Sequence, residues 1–210
     1  MIHISLEKIS KRFTREWIFR DLDYTFTSGN AYAVVGPNGS GKSTLLQVIS
    51  GFLPPTNGKL TYNKEGNKIE DDDIHPLLSI AAPYLELIEE FTLQEFLKFH
   101  FSFKIMMEGM SIDDIIEVME LPSAKNKLLK NFSSGMRQRV KLATCFFADS
   151  PVVLLDEPTT NLDEKGVRWY EQKVMQILPD RIVIICSNLE KEYNFCKKFI
   201  NINDYKKFNR

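Results

Sequence analysis

A phosphate-loop motif constrains the fold of this chain more than any other feature of its sequence. Residues 36–43 read Gly-Pro-Asn-Gly-Ser-Gly-Lys-Ser and fit the pattern Gly-x-x-x-x-Gly-Lys-Ser/Thr. The apolar run 31–35 before them is typical of a buried strand, and residues 44–50 after them predict a helix that Gly51 closes. Such a loop points its backbone N–H groups at phosphate oxygens. The chain is therefore predicted to bind a nucleoside triphosphate in an α/β fold.

The loop divides the binding of a triphosphate between its backbone and two side chains. We expect Lys42 to reach the β- and γ-phosphates and the hydroxyl of Ser43 to ligate Mg²⁺. A Gly- and Ser-rich turn can also be only a connector between a strand and a helix, but the Lys-Ser ending between two apolar runs favours phosphate binding. The residues expected to contact ATP are Gly36, Pro37, Asn38, Gly39, Ser40, Gly41, Lys42, Ser43 and Thr44.

Length, charge and cysteine content narrow the class of protein. The 210 residues suffice for one large domain or a core with one insert, and the net charge of −1 disfavours a general nucleic-acid binder. Cys145, Cys186 and Cys196 lack metal-ligand spacing and are typical of buried positions in a reducing compartment. The chain has no signal-peptide layout and no apolar run of about 20 residues. We expect a cytoplasmic protein that reaches a membrane only through a partner.

The pattern of apolar residues changes twice along the chain. Residues 1–75 read as strands around one helix, residues 76–131 as helices, and residues 132–210 as alternating strands and helices. Within the middle stretch, Thr92 and Glu95 predict a capping box at the start of one helix, and Ser111 and Asp114 mark the start of another. We expect an α/β core of residues 1–75 and 132–210, interrupted by a helical subdomain of residues 76–131.

The second group of candidate functional residues is a pair of acidic residues that follow the apolar run 152–155. A carboxylate at the carboxyl end of a buried strand lies where open α/β sheets bind their ligands. Asp156 fits the Mg²⁺ partner beside a phosphate loop, and Glu157 is placed to orient or deprotonate a water aimed at the γ-phosphate. A pair of exposed acids in a loop is the alternative, which the preceding aliphatic residues and Pro158 disfavour.

A third string, Phe-Ser-Ser-Gly-Met-Arg-Gln-Arg at residues 132–139, precedes a predicted helix. A helix start of this composition exposes free N–H groups and a positive dipole, which suit phosphate. Alone, Ser-Ser-Gly would be only an N-cap. Because the string lies shortly before the two acidic residues, phosphate binding is favoured over a simple N-cap.

Together, these strings resemble the ATP-binding subunits of ABC transporters, and the resemblance covers essentially the whole chain. Residues 36–44 match the Walker A motif, and residues 152–157 match Walker B with the catalytic glutamate. Residues 133–136 resemble the signature motif, and residues 160–163 the D-loop. The resemblance implies an α/β fold: a RecA-like P-loop NTPase core with an N-terminal antiparallel β subdomain and an inserted α-helical subdomain.

The resemblance also implies cofactors and partners. In that family the signature of one subunit closes over ATP held by the Walker motifs of another, so it implies a head-to-tail homodimer with two ATP and Mg²⁺. It implies a membrane-spanning permease partner on the inner face of the cell membrane, without nucleic acid and without direct membrane insertion. Phe13 is positioned like the aromatic that stacks on adenine in that family. Trp17 is the second candidate for this contact, and the alternative interpretation of Phe13 is a core aromatic at the end of a strand. The signature residues implied to contact ATP are Ser133, Ser134, Gly135 and Met136.

Three departures from the family pattern affect the expected chemistry. The signature, usually Leu-Ser-Gly-Gly-Gln, has Phe132 for Leu, Ser134 for the first Gly and Met136 for Gln. The glutamine that usually meets Mg²⁺ and the attacking water falls at Pro83 or Tyr84. The switch histidine is Asn188, which can hydrogen-bond a γ-phosphate but cannot carry a positive charge. Because Glu157 is kept, we expect hydrolysis that is slow or dependent on the partner.

The sequence therefore predicts an ATPase subunit that powers a transporter, with export as the expected direction. A nucleotide-gated regulatory or scaffold module with little hydrolysis is the alternative, which the missing glutamine and histidine favour. An ABC-type ATPase that acts on DNA or ribosomes is disfavoured, since the chain lacks a coiled-coil insertion and a basic face. Residues Phe99 and Phe103 lie off the apolar stripe of their helix, so we place the partner surface there and at Tyr84.

Overall fold

A computed structural model describes residues 1–70 and 73–206, and in these residues the chain forms two β-sheets and five α-helices. In chain order the strands are β1 (Ile2–Phe13), β2 (Glu16–Thr27), β3 (Asn30–Val35), β4 (Asn57–Lys64), β5 (Asn67–Ile69), β6 (Leu78–Ala81), β7 (Val152–Asp156), β8 (Ile182–Ser187) and β9 (Lys198–Asn201). The helices are α1 (Lys42–Ile49), α2 (Leu93–Phe103), α3 (Ile112–Val118), α4 (Ser134–Phe146) and α5 (Glu164–Ile177).

The first sheet is antiparallel and consists of the N-terminal strands in the order β2-β1-β4-β5. Its strands alternate in burial because only one of its faces packs on the interior. In β1, for example, Ile2, Ile4 and Leu6 are buried. The sheet is fastened to α1 by a hydrogen bond from the hydroxyl of Tyr62 to the carbonyl of Ile49.

The second sheet is parallel throughout, with the order β6-β7-β8-β3-β9. Every residue of β7 and β8 is buried, since this sheet is covered on both faces, and this explains why these strands are unbroken apolar runs. Alternate residues of β7 enter two separate cores. Val153 and Leu155 pack with α2 to α5, whereas Val152 and Leu154 pack with α1 and the antiparallel sheet. The carboxyl ends of β3, β7 and β8 therefore lie along one edge, next to the start of α1.

The predicted helix starts of the middle segment are confirmed. Both α2 and α3 begin with a capping box, formed by Thr92 with Glu95 and by Ser111 with Asp114. Of the apolar stripe predicted for α2, Leu93, Phe96 and Leu97 are buried, and His100 and Phe101 are half-buried. The buried residues of these two helices share a core with Val153 and Leu155 of the parallel sheet.

The segment 76–131, expected to be helical, begins instead with a strand of the parallel sheet. Residues 78–81 form β6, which pairs in parallel with β7. The run Leu-Ser-Ile-Ala is too short to be distinguished from a helical turn by periodicity, and its pairing to a strand far along the chain decides its structure. The helical part therefore lies between β6 and α4.

The three cysteines are buried and free, as predicted. In the part of the chain that the structure describes, no helix is long and apolar enough to cross a bilayer.

Candidate nucleotide site

The phosphate loop connects β3 to α1, as the sequence predicts. Gly41 precedes the helix with a φ of +105°, and a Cβ at this position would collide with Ile18 on β2. Only glycine fits both conditions. The first turn of α1 contains no acidic residue, so its free N–H groups and positive dipole are available to phosphate.

Lys42 lies inside the loop rather than in solvent. Its Nζ donates to the carbonyls of Gly36 at 2.8 Å and Pro37 at 3.1 Å, and the residue is 5% exposed. An ammonium held by the carbonyls of the loop itself is positioned to exchange them for the oxygens of a phosphate.

Asp156 ends β7 beside this loop and is 3% exposed. Its Oδ1 has no hydrogen-bond partner among the described residues. Burial raises the pKa of its carboxyl, while the neighbouring hydroxyl of Ser43 lowers it and the charge of Glu157 raises it further. A buried carboxylate oxygen without a protein partner next to a hydroxyl fits Mg²⁺, which prefers oxygen ligands.

Glu157 follows in a strained conformation. Its φ is +46°, which is uncommon for a residue with a side chain, and its N–H donates to the carbonyl of Cys186 at 2.9 Å. Glu157 faces the phosphate loop across a cavity of about 210 Å³. The residues that line this cavity are Ile18, Asn38, Gly39, Ser40, Gly41, Lys42, Ser43, Thr44 and Glu157. The sequence pattern missed Ile18, because nothing marks it apart from other strand residues.

Two of the departures from the family pattern lie near the nucleotide site: Asn188 contacts the phosphate loop, and Tyr84 contacts the helix that follows it. The Nδ2 of Asn188 donates to Oδ1 of Asn38 at 3.1 Å, so the switch position touches the phosphate loop. Tyr84 interacts with Gln47 of α1 and lies near enough to Asp156 for that carboxylate to affect it. The pKa of Tyr84 is raised to about 12, mainly by burial, and the charge of Asp156 contributes to the increase. At Pro83 or Tyr84, where the family pattern has a glutamine, this chain therefore offers at most an aromatic hydroxyl.

The signature residues lie apart from this cavity in the same chain. Ser133 is the N-cap of α4, and its hydroxyl accepts from the N–H of Met136 at 3.2 Å. A Cβ at Gly135 would lie 2.9 Å from the carbonyl of Asn161, so the D-loop packs directly on the start of α4. Of the four signature residues, including Ser134, none lines the described nucleotide cavity. The structure brings the Walker residues together and leaves the signature on another surface.

The two candidates for adenine stacking differ in their surroundings. Phe13 is 46% exposed, which is incompatible with a core position, and Lys11 Nζ lies 5.2 Å from its ring centroid. The guanidinium groups of Arg12 and Arg20 lie over the ring of Trp17, at 5.1 Å and 4.7 Å. Phe13 offers the more accessible ring, and its contact with adenine stays a prediction.

A strand, a glycine loop that closes on lysine, and two acids at the carboxyl end of a strand two positions away in the same parallel sheet define a P-loop nucleotide-binding protein. The family model described as "ABC transporter" matches residues 19–160. The chain belongs to the family of ABC transporter ATP-binding proteins and is an ATP-binding ATPase.

The known proteins that are similar to the chain include one named as an import protein and one named as an export protein. It is 30% identical, over 90% of its length and 86% of the relative, to the uncharacterized ABC transporter ATP-binding protein YybJ of Bacillus subtilis. It is 32% identical to the taurine import ATP-binding protein TauB of Roseobacter denitrificans, over 91% of this chain and 74% of the relative. It is 30% identical to the Nod factor export ATP-binding protein I of Rhizobium johnstonii, over 91% of this chain and 63% of the relative.

Among solved structures, the fold matches a dimeric ATP-binding cassette in a post-hydrolysis state bound to ADP and Pi. The TM-score is 0.77, and the match covers 94% of this chain and 93% of that chain at 23% identity. This likeness shows the fold.

Proposed function

We propose that the chain is the ATP-hydrolysing subunit of an ABC transporter, which dimerises head to tail around two ATP and drives a separate membrane-spanning partner. The observation that carries this proposal is the separation of two half-sites in one chain. The phosphate loop and Glu157 line the cavity, whereas the signature at the start of α4 lies outside it. Two copies arranged head to tail would complete each site with Ser133 to Met136 of the other copy.

Each residue at the cavity has a proposed task. The loop N–H groups and Lys42 bind the phosphates, and Ser43 and Asp156 hold Mg²⁺, which neutralises charge on the phosphate oxygens. Glu157 orients and deprotonates the attacking water, and the amide of Asn188 binds the γ-phosphate. Phe13 stacks on the adenine. These assignments draw support from the burial of Asp156 and from the contact of Asn188 with the loop.

We place the partner on a groove between the parallel sheet and α2. A cavity of about 520 Å³ there is lined by Tyr84, Leu85 and Phe96, and its wall also carries Lys104 and Lys141. Beyond the groove, the rings of Phe91, Phe99 and Phe103 stack edge to face, with centroids 5.5 Å and 5.1 Å apart.

The stacked aromatic rings are unusual for a surface in contact with water. Phe99 is 43% exposed and Phe103 is 75% exposed. A contiguous apolar patch of this kind is typical of a protein interface. Because Gln47 of α1 lines this groove together with Tyr84, a partner seated here would contact the helix that follows the phosphate loop.

A membrane co-sedimentation experiment tests the docking surface. Tyr84→Ala and Phe99→Asp are expected to release the chain from membranes that contain its permease, and Phe99→Asp should leave MgATP binding unchanged. Phe199→Asp is the matched control, because Phe199 on β9 is a similarly exposed phenylalanine at 52% and lies outside the groove. If both variants sediment like the parent, the partner docks elsewhere.

We propose export as the direction of transport, at the inner face of the cell membrane. The similarity to a Nod factor export protein, at 30% identity, supports it. The taurine import relative is 32% identical, so the direction is tested by transport into vesicles that contain the reconstituted permease. A regulatory module with little hydrolysis is the second candidate, favoured by Asn188 in place of a histidine. ATP turnover measured with and without the permease distinguishes the two candidates. The permease should raise the hydrolysis rate of a transporter subunit and leave the low rate of a regulatory module unchanged.

A further inference from the structure

The turn that carries Glu157 is held by two buried side chains outside the nucleotide cavity. The Nε2 of Gln138, on α4, donates to the carbonyl of Pro158 at 2.7 Å. On the other side, Oε1 of Glu192 accepts from the N–H of Thr159 at 2.8 Å and from its hydroxyl at 2.5 Å. The residue next to Glu157 and the one after it are therefore both anchored to distant parts of the chain.

Glu192 is an unusual residue to find in this place. Its exposed fraction is 0%, and carboxylates are almost never fully buried unless they are paired. Its Oε1 is hydrogen-bonded to Thr159 and its Oε2 has no hydrogen-bond partner among the described residues, so the carboxylate is bound to the Glu157 turn through Thr159. Thr159 is 3% exposed, which means that without Glu192 its N–H would remain buried and unpaired.

The backbone of Glu192 is fixed, so its side chain acts from a rigid base. Its carbonyl accepts from the buried hydroxyl of Tyr170 on α5 at 2.8 Å, and its N–H donates to Leu189 at 2.9 Å. The same segment touches the phosphate loop through Asn188 and Asn38. Residues 188–192 therefore contact the phosphate loop at one end and the Glu157 turn at the other.

We propose that Glu192 is a positioning residue for ATP hydrolysis, which holds the turn of Glu157 in register with the phosphate loop through Thr159. This inference rests on the proposed role of Glu157 as the base. Glu157 already has a strained backbone, with a φ of +46°, and a strained turn persists only where its surroundings determine it. Loss of the Glu192 anchor would let the turn relax and would move the carboxylate away from the attacking water.

Steady-state ATP hydrolysis and equilibrium ATP binding of the full chain test this role. Glu192→Ala should lower kcat about 10- to 100-fold, the scale expected when a reacting group is displaced by about 1 Å. The Kd for MgATP should stay within about threefold, because Glu192 does not line the cavity. Glu192→Gln keeps the Oε1 acceptor and should recover most of kcat. Thr159→Val, which removes one of the two donors, should fall between the parent and Glu192→Ala and keeps the test valid if the alanine variant does not fold.

Two controls separate positioning from a general loss of stability. Trp169→Phe removes another hydrogen bond of a buried side chain, from Nε1 to the carbonyl of Val118 at 2.8 Å, and should leave kcat unchanged at a comparable melting temperature. In a Glu157→Gln background, Glu192→Ala should cause no further loss, because the two residues act in one unit. Hydrogen exchange at residues 157–162 should be faster in Glu192→Ala.

These experiments distinguish failure of the role proposed for Glu192 from failure of the role proposed for Glu157. A slow Glu157→Gln variant together with a Glu192→Ala variant of normal kcat would overturn the inference alone. The same holds if Trp169→Phe loses as much activity, or if Glu192→Ala slows the Glu157→Gln protein by its full factor. A Glu157→Gln variant as fast as the parent would remove the base and, with it, the role of Glu192.

Discussion

Replacement of Lys42 by alanine is expected to weaken MgATP binding by about three orders of magnitude. In the free loop Lys42 donates to two backbone carbonyls, at 2.8 Å and 3.1 Å. The bound state replaces them with phosphate oxygens, so the count of hydrogen bonds is similar in both states and largely cancels. What remains is the attraction between an ammonium and a phosphate charge, which is about 4 kcal/mol at 4 Å and an effective dielectric constant of about 20. At about 1.4 kcal/mol per factor of ten, this corresponds to roughly 700-fold in Kd.

Isothermal titration calorimetry measures this loss directly. Lys59→Ala is the matched control, because Lys59 is an exposed lysine on β4 and its removal changes the net charge equally. Circular dichroism should show that both variants fold and that their melting temperatures lie within a few degrees of the parent. A folded Lys42→Ala variant whose Kd rises less than about tenfold would refute the assignment of this lysine to the phosphates.

Three further predictions concern the remaining parts of the site. Burial raises the pKa of Asp156, and Mg²⁺ needs the ionised carboxylate. On acidification, the Mg²⁺ affinity of the ATP complex should therefore fall at a higher pH than the usual pKa of an aspartate would give. The same dependence of Mg²⁺ affinity on pH in Asp156→Asn would contradict this. Asn188→His should raise kcat if the missing imidazole limits turnover, and an unchanged single-turnover rate would show that it does not. Phe13→Ala should weaken ATP about 5- to 100-fold by the loss of base stacking but leave inorganic triphosphate binding unchanged, and equal losses for both ligands would exclude adenine stacking.

The elements that the sequence predicts well are those determined by local chemistry. The phosphate loop is predicted correctly because the spacing of its glycines, Lys42 and Ser43 is specific to this kind of loop. The capping boxes of α2 and α3 need only residues three positions apart. The runs before Gly36 and Asp156 are strands because a parallel sheet buries both their faces.

The parts that the sequence does not predict depend on contacts between distant residues. Glu192 and Thr159 are 33 positions apart, and an acidic residue in a polar stretch reads as exposed until the fold buries it. The proximity of Tyr84 to Asp156 likewise requires β6 to pair beside β7. The stacking of Arg12 and Arg20 on Trp17 depends on the pairing of β1 with β2.

The mass of the Glu157→Gln variant in MgATP tests the central claim most directly, because it reports dimer formation around ATP. This substitution keeps the shape of the side chain and removes the proposed base, so ATP should stay bound and hold two chains together. Light scattering of the purified variant should give the monomer mass of 24.3 kDa without nucleotide and twice that mass with MgATP. A variant that binds MgATP in calorimetry and remains at 24.3 kDa at concentrations well above the Kd would contradict the account.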